Sequence, residues 1–334
     1  MSEQWAGYHA ATTRVALADR TSRCRIAVTG PDRAKFLHNL TTNEIKRLPV
    51  GEGCEAFVTS LQGKTLGYVL IMACESELLV RSDPEGLAQI LPHFQKYGLF
   101  DEVGIESVAT TTFEFHLAGP DARDVLERIG AEPPDGLYAH RIANVGGASV
   151  RLIRESPTGR VGWTLIGHAS DADRVAKALR ENGAPGGLVD LSNAEFEVLR
   201  IEAGTPVFGH DVTQANLPQE LDRDARAISF VKGCYLGQET VARIDALGHV
   251  NRLLKGLTLA QGPPPPPGTA LEAADGKAVG AVTSSAWSPG WGRALALAYV
   301  RTTHAAPGTE LRLALSGSAS ATVSDLPMLP PVVR

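Results

Sequence analysis

Apolar and polar residues alternate along Phe113-Glu114-Phe115-His116-Leu117, the two-residue period of a β-strand. A second short strand-like stretch runs from Arg25 to Val28. Each leads into nearly the same string, Thr29-Gly30-Pro31-Asp32-Arg33-Ala34-Lys35-Phe36-Leu37 in the first case and Ala118-Gly119-Pro120-Asp121-Ala122-Arg123-Asp124-Val125-Leu126 in the second. Glycine permits a sharp turn, proline suits the first helical position and aspartate the first turn, so both copies predict strand, tight turn, helix. Neither copy has the G-x-G-x-x-G spacing of a dinucleotide site, which leaves anion binding at these turns the weaker reading.

Helical periodicity appears further on. Ser192-Asn193-Ala194-Glu195 forms a capping box, Phe196, Leu199 and Ala203 share a face, and Gly204 supplies the stop. This helix carries Arg200 and Glu202, which read either as a solvated pair or as inward groups, the guanidinium gripping a ligand carboxylate. Val241, Ile244 and Leu247 predict another helix with one buried stripe. Gly237 falls just outside it, Glu239 in its first turn, and Glu239 and Arg243 are spaced to pair.

After about Lys255 the pattern changes. Pro263 to Pro267 form a stiff extended segment that no helix or central strand contains. Short apolar stretches follow, punctuated by Asp275-Gly276, Pro289-Gly290, Pro307-Gly308 and Ser316-Gly317. Turn signals at that frequency predict a small antiparallel barrel or sandwich of roughly eighty residues, with the prolines in a loop near its entrance.

Composition narrows the function classes. The 334 residues are enough for two or three domains, and 32 basic against 37 acidic residues leave a net charge of −5. No long run of Lys or Arg is present, which argues against nucleic-acid binding through a basic face. The start, Met1-Ser2-Glu3-Gln4-Trp5, lacks the basic and apolar regions of a signal peptide, and no apolar run approaches membrane-spanning length. The expectation is a cytoplasmic protein without membrane or nucleic-acid partners. Cys24, Cys54, Cys74 and Cys234 are scattered without C-x-x-C pairs or histidines in ligand spacing, so no metal site is assigned.

Candidate chemistry centres on Lys232-Gly233-Cys234-Tyr235-Leu236-Gly237-Gln238-Glu239. Cys234 lies shortly before a helix start and two residues from Lys232, and both influences favour thiolate over thiol. Its thiol is therefore expected to be partly exposed and more acidic than free cysteine. Gly233 and Gly237 allow close backbone approach or positive φ, and Tyr235 is expected in the core rather than as a lid. The competing reading is an ordinary turn with a small buried cysteine. Gly63-Lys64-Thr65 resembles the end of a P-loop, but Val58 stands where a glycine is required. Neither H-E-x-x-H nor G-x-S-x-G occurs, and His210-Asp211 is suggestive only if neighbouring side chains converge.

The string from Ile228 to Arg243, I-S-F-V-K-G-C-Y-L-G-Q-E-T-V-A-R, resembles the signature of the YgfZ family, folate-binding proteins related to the T-protein (aminomethyltransferase) of the glycine cleavage system. The similarity extends to G-P-D-R-A-K-F-L-H-N-L-T-T-N near the start, L-R-I-E-A-G-T-P-V-F-G from Leu199 to Gly209, and Leu217-Pro218-Gln219-Glu220-Leu221. The resemblance implies an α+β fold arranged as a three-part ring. Residues 1–250 would form two interleaved α/β portions, one folate-binding and one ferredoxin-like, and 251–334 a C-terminal β-barrel. It also implies tetrahydrofolate, or a related reduced folate, in a central hole, with Arg200 and Asp83 as candidate contacts. The family's role is to support assembly or repair of iron–sulfur enzymes, with Cys234 as the functional thiol and iron–sulfur enzymes or assembly proteins as partners.

Two departures from the transferase pattern bear on activity. The stretch matching its asparagine-alanine and lysine-aspartate pairs reads Val80-Arg81-Ser82-Asp83-Pro84-Glu85-Gly86, and its T-G-E-D-G segment reads Thr158-Gly159-Arg160-Val161-Gly162. Both acids are lost or displaced, which argues against aminomethyl transfer unless Asp83 substitutes from a rearranged loop. No catalytic residue is assigned. Three readings follow: a folate-binding protein acting through Cys234, a folate-dependent aminomethyl or one-carbon transferase, and a structural interaction protein with a degenerate pocket.

Overall fold

The computed structural model describes residues 3–314 and 319–330, and the turn at Ser316-Gly317 lies outside them. Its first sheet has five antiparallel strands in the spatial order Gly53–Thr59, Thr65–Ala73, Glu77–Ser82, Cys24–Thr29, Gly104–Ser107. Helices Arg33–Leu40 and Pro84–Tyr97 cover one face and bury Phe36, Leu37, Ile90 and Phe94 against Ile26, Val28 and Ile71. The second sheet has six strands in the order Val189–Asp190, Ala16–Asp19, Thr112–Ala118, Gly162–His168, Ala148–Arg154, His140–Val145. Helices Ala122–Arg128 and Ala172–Gly183 close its core around Phe113, Leu117, Trp163 and Leu179. Because Ala16–Asp19 precedes the first sheet in the chain yet lies in the second, the two units are interleaved.

The repeated strand–turn–helix string folds the same way twice. Gly30 (φ +93°) and Gly119 (φ +129°) lie where an added Cβ would come within 2.2 Å of the Glu102 carbonyl oxygen and 2.3 Å of that of Arg14. Side chains other than hydrogen are excluded at both turns. The prolines stand in the turn rather than at the first helical position, which Arg33 and Ala122 occupy. Asp32 and Asp121 precede those helices without capping them through their side chains.

The faces of the two sheets that carry no helices meet. Leu70, Met72 and Leu79 from one pack against Ile153 and Ile166 from the other. Beside this apolar contact, Arg25 and Arg81 of the first sheet meet Glu114 and Glu155 next to the second. The alternation in Thr112–Ala118 therefore separates two interiors, with Phe113 and Leu117 under helices and Glu114 and His116 in a buried polar seam.

The chain from Arg252 forms a closed six-stranded barrel, in the order Arg252–Leu259, Arg293–Arg301, Ala278–Ser288, Ala270–Glu272, Glu310–Leu313, Ser320–Ser324. The five prolines lie in the loop before Ala270–Glu272, as expected from their lack of N–H donors. Helix Asn193–Glu202 joins the barrel to the α/β units, its Ile201 packing on Leu254, Leu295 and Leu297 of the outer barrel wall. Its capping box forms as predicted, Ser192 accepting from the Glu195 N–H and Glu195 accepting from the Ser192 N–H. Ser192→Ala is expected to cost about 1 kcal/mol, read as a lower urea midpoint at unchanged slope.

Candidate functional site

A cavity with about 780 Å³ of space free of protein atoms, open to solvent, lies where both sheets and helix Asn193–Glu202 converge. Its wall carries six arginines (20, 23, 81, 200, 223 and 226) against four carboxylates (Glu55, Asp83, Glu155 and Glu197). Aromatic surface comes from Tyr68, Tyr138 and Phe196, with the Arg20 guanidinium 4.0 Å from the Phe196 ring centre.

Both ligand-binding residues expected from sequence face this cavity. Asp83, immediately before helix Pro84–Tyr97, accepts from the Phe208 N–H at 2.8 Å and pairs with Arg23 at 3.2 Å. Arg200 and Glu202 are buried, so the solvated-pair reading fails. Arg200 donates to Asp211 at 2.5 Å and to Ser284 at 2.7 Å and also pairs with Glu197. Glu202 points elsewhere, holding Tyr8, Ser288 and Arg160.

Arg160, the residue standing where the transferase acid was expected, is therefore occupied outside the cavity wall. Glu155, three residues before Thr158, supplies a carboxylate there instead. Burial pushes its carboxyl up, but Arg81 at 2.5 Å outweighs that, and with His116 and Thr164 holds it down to about 2. Asp83 is on the wall as well, so the two acids lost or displaced in sequence leave carboxylates on this wall, Asp83 being the substitute the sequence left open.

Several wall atoms have no hydrogen-bond partner among the described residues. The Nε atoms of Arg20, Arg23, Arg81 and Arg200, together with one oxygen of Glu55, are buried without hydrogen bonds. Buried polar groups are ordinarily paired, so this cavity offers donors and an acceptor to a ligand carrying both. Tyr138 adds a backbone feature, since it holds φ +65°, uncommon for a bulky residue. Its hydroxyl donates to Glu55, and burial followed by that carboxylate raises the phenol well above its ordinary range.

The cysteine loop lies elsewhere. Cys234 is exposed and lines a groove with Phe36, Leu40, Tyr97 and Asp101, sharing no lining residue with the arginine-rich cavity. The four cysteines form no disulfide, and burial pushes the other thiols up, Cys24 and Cys74 to about 11 and Cys54 to about 12. Tyr235 is in the core, as expected.

Lys232 does not serve the thiol in the expected way. Its buried ammonium donates to the carbonyls of His38, Thr41 and Asn43 at 2.6, 2.6 and 2.7 Å, and burial lowers it to about 7. These are carbonyls at and beyond the end of helix Arg33–Leu40, where orphan acceptors and the helix dipole favour a cation. Lys232 is an anchor, and Leu236 is a second one, its N–H donating to Asn39 and its carbonyl accepting from Thr59.

Other expectations for this segment are corrected. Gly233 does not take positive φ. In helix Gln238–Leu247 only Val241 is buried and Leu247 is exposed, because the helix lies on the surface, and Glu239 and Arg243 form no ion pair. Gly237 does precede that helix at φ +85°, where an added Cβ would meet the Ser60 carbonyl oxygen at 2.4 Å. Gly237→Ala is expected to destabilise by about 1–3 kcal/mol and speed alkylation of Cys234. Urea unfolding and thiol labelling on one sample check both.

Residues 3–230 match the GCVT N-terminal domain and residues 252–329 the glycine cleavage T-protein C-terminal barrel domain. The chain belongs to the glycine cleavage T-protein family. It is 30% identical over 307 residues to the aminomethyltransferase of Streptomyces avermitilis, covering 90% of this chain and 82% of that one. The aminomethyltransferase of Saccharopolyspora erythraea is 29% identical over 94% of this chain and 86% of its own. In fold, the chain superposes on the glycine cleavage system aminomethyltransferase T of Bartonella henselae with a TM-score of 0.88 at 20% identity, covering 97% and 89% of the two chains.

Within this T-protein frame the sequence missed most of the wall. Glu55, Tyr68, Tyr138 and Arg223 come from four separate segments and share no local pattern. Arg81 and Glu155 stood beside the two departures already noted, but which way each side chain pointed was not legible.

Proposed function

We propose that this protein binds a reduced folate in the arginine-rich cavity and uses it in transfer of a one-carbon unit from an aminomethyl or methyl donor. The observation that carries this reading is the cationic wall with buried unpartnered donors and Asp83 beside them. The residues fit the group: arginines match a carboxylate tail, Tyr138, Tyr68 and Phe196 match aromatic rings, and Glu55 retains an acceptor for a ring N–H. Tetrahydrofolate would supply the nitrogen that accepts the carbon unit. Asp83 is held by Arg23 and the Phe208 N–H and would orient and take up a proton. Arg200, held by Asp211, Glu197, Ser284 and the Thr205 carbonyl, would offer the ligand its Nε–H, the guanidinium donor left without a partner among the described residues.

Calorimetric titration with tetrahydrofolate, followed by product analysis with an aminomethylated carrier, tests the reading. Saturable binding with product formation supports it, and absence of both overturns it.

A second reading rests on one further observation, an exposed Cys234 held between two backbone anchors. Here the bound folate serves assembly or repair of iron–sulfur enzymes and the thiol is the working group. Cys234→Ala is then expected to leave folate affinity unchanged and lower iron–sulfur enzyme activities in cells. Unchanged cellular activities would remove it.

A further inference from the structure

The segment from His210 to Asn216 lies against the outer barrel wall and leaves a second cavity, sharing no lining residue with the first. Arg252 and Arg301 meet there, directly opposite each other across an antiparallel strand pair. Like charges at such positions repel unless neutralised. Arg252 pairs with Glu220 at 3.0 Å and donates to the Ala215 carbonyl, whereas Arg301 is exposed and makes no ion pair or side-chain hydrogen bond among the described residues.

Tyr299 precedes Arg301 by two positions on the same strand and lines the same cavity. It is 6% exposed, and its hydroxyl is buried with no hydrogen-bond partner among the described residues. A buried hydroxyl left in that state is costly, so the site has a donor waiting for an acceptor. The nearby carboxylates do not provide one. Asp211 is occupied by Arg200, Thr283 and the Val207 N–H, and Glu220 by Arg252, Asn216 and the Leu217 N–H. His210 reaches this cavity while the adjacent Asp211 is held by Arg200, so the two do not act as a pair.

We propose that this cavity is a binding site for a small oxyanion, phosphate or carboxylate, held by Arg301, the remaining guanidinium nitrogen of Arg252 and the Tyr299 hydroxyl. The wall supplies more donors than acceptors, and an oxyanion both neutralises Arg301 and satisfies Tyr299. None of Arg301, Arg252 and Tyr299 lines the first cavity, so the test of this site is separate from that of folate binding.

Inorganic phosphate and succinate, titrated separately into the full chain at fixed ionic strength, test the site by calorimetry and thermal shift. Saturable binding of phosphate alone identifies a phosphoryl ligand, and of succinate alone a carboxylate. Arg301→Gln and Tyr299→Phe are each expected to weaken binding by roughly tenfold or more, while Arg293→Gln, at the other end of the strand, leaves it unchanged. In anion-free buffer Tyr299→Phe is expected to be at least as stable as the parent protein, because the hydroxyl it removes has no partner. Binding of neither anion, binding by the Arg301→Gln and Tyr299→Phe variants as tight as that of the parent protein, or a destabilised Tyr299→Phe would each overturn the proposal.

Discussion

Arg81→Ala is expected to lower the free energy of unfolding by about 3–5 kcal/mol. Arg81 and Glu155 are both buried and bonded at 2.5 Å between the two sheets, and truncating the arginine leaves a carboxylate without its counter-charge. Replacing both partners by methionine is expected to recover most of the loss, since the penalty lies in the orphaned charge rather than in the absence of a pair. Urea unfolding of the single and double variants decides the matter, and equal losses in both would sink the argument.

The same pair sets an acid limit. The folded Glu155 carboxyl sits at about 2, below its ordinary value of about 4.3, so its stabilisation is complete above that value and disappears as pH falls toward 2. His116 and His140 act earlier. Burial lowers both imidazoles to about 4, so the fold holds them neutral and loses stability as pH falls from about 6.5 toward 4. The gap between parent and Arg81→Ala is therefore expected to narrow on acidification, because the variant's Glu155 is relieved by protonation. A gap independent of pH from 7 to 3 would contradict this assignment.

Asp83→Asn is expected to reduce one-carbon transfer by about 10²–10⁴-fold while changing folate affinity only a few-fold. The amide keeps the shape and can still accept from the Phe208 N–H at the cavity wall, but it cannot take up a proton. Single-turnover rates alongside calorimetric affinities separate the two effects. Full turnover in Asp83→Asn would remove the proton role, and loss of binding with unchanged turnover at saturating folate would make the residue a binding contact.

What the sequence disclosed was local. The capping box at Ser192, the repeated glycine turns and the proline-led change to a barrel each depend on a few adjacent residues, and each formed. Direction of long side chains was not local. Lys232 looked like a partner for Cys234 because they are two apart, yet three carbonyls near the end of another helix hold it. The polar seam was equally hidden, because Arg25 and Arg81 find Glu114 and Glu155 only after two sheets have closed on each other. Arg200 and Asp83 were recognisable through family resemblance, whereas most of the wall around them is assembled by topology.

The early strand Ala16–Asp19, seated between Thr112–Ala118 and Val189–Asp190, bears on how this chain emerges from the ribosome. When Ala16 leaves the exit tunnel its sheet neighbours have not been made, and the whole five-stranded unit is synthesised before the first arrives. The N-terminal strand must therefore wait with its ladder groups unpaired while the intervening unit assembles, and the loop that it closes on pairing encloses that unit. A cut between the two α/β units would strand this segment on the wrong fragment. Dissecting the protein into autonomous halves thus requires a circular permutation that moves residues 3–20 to follow the five-stranded unit.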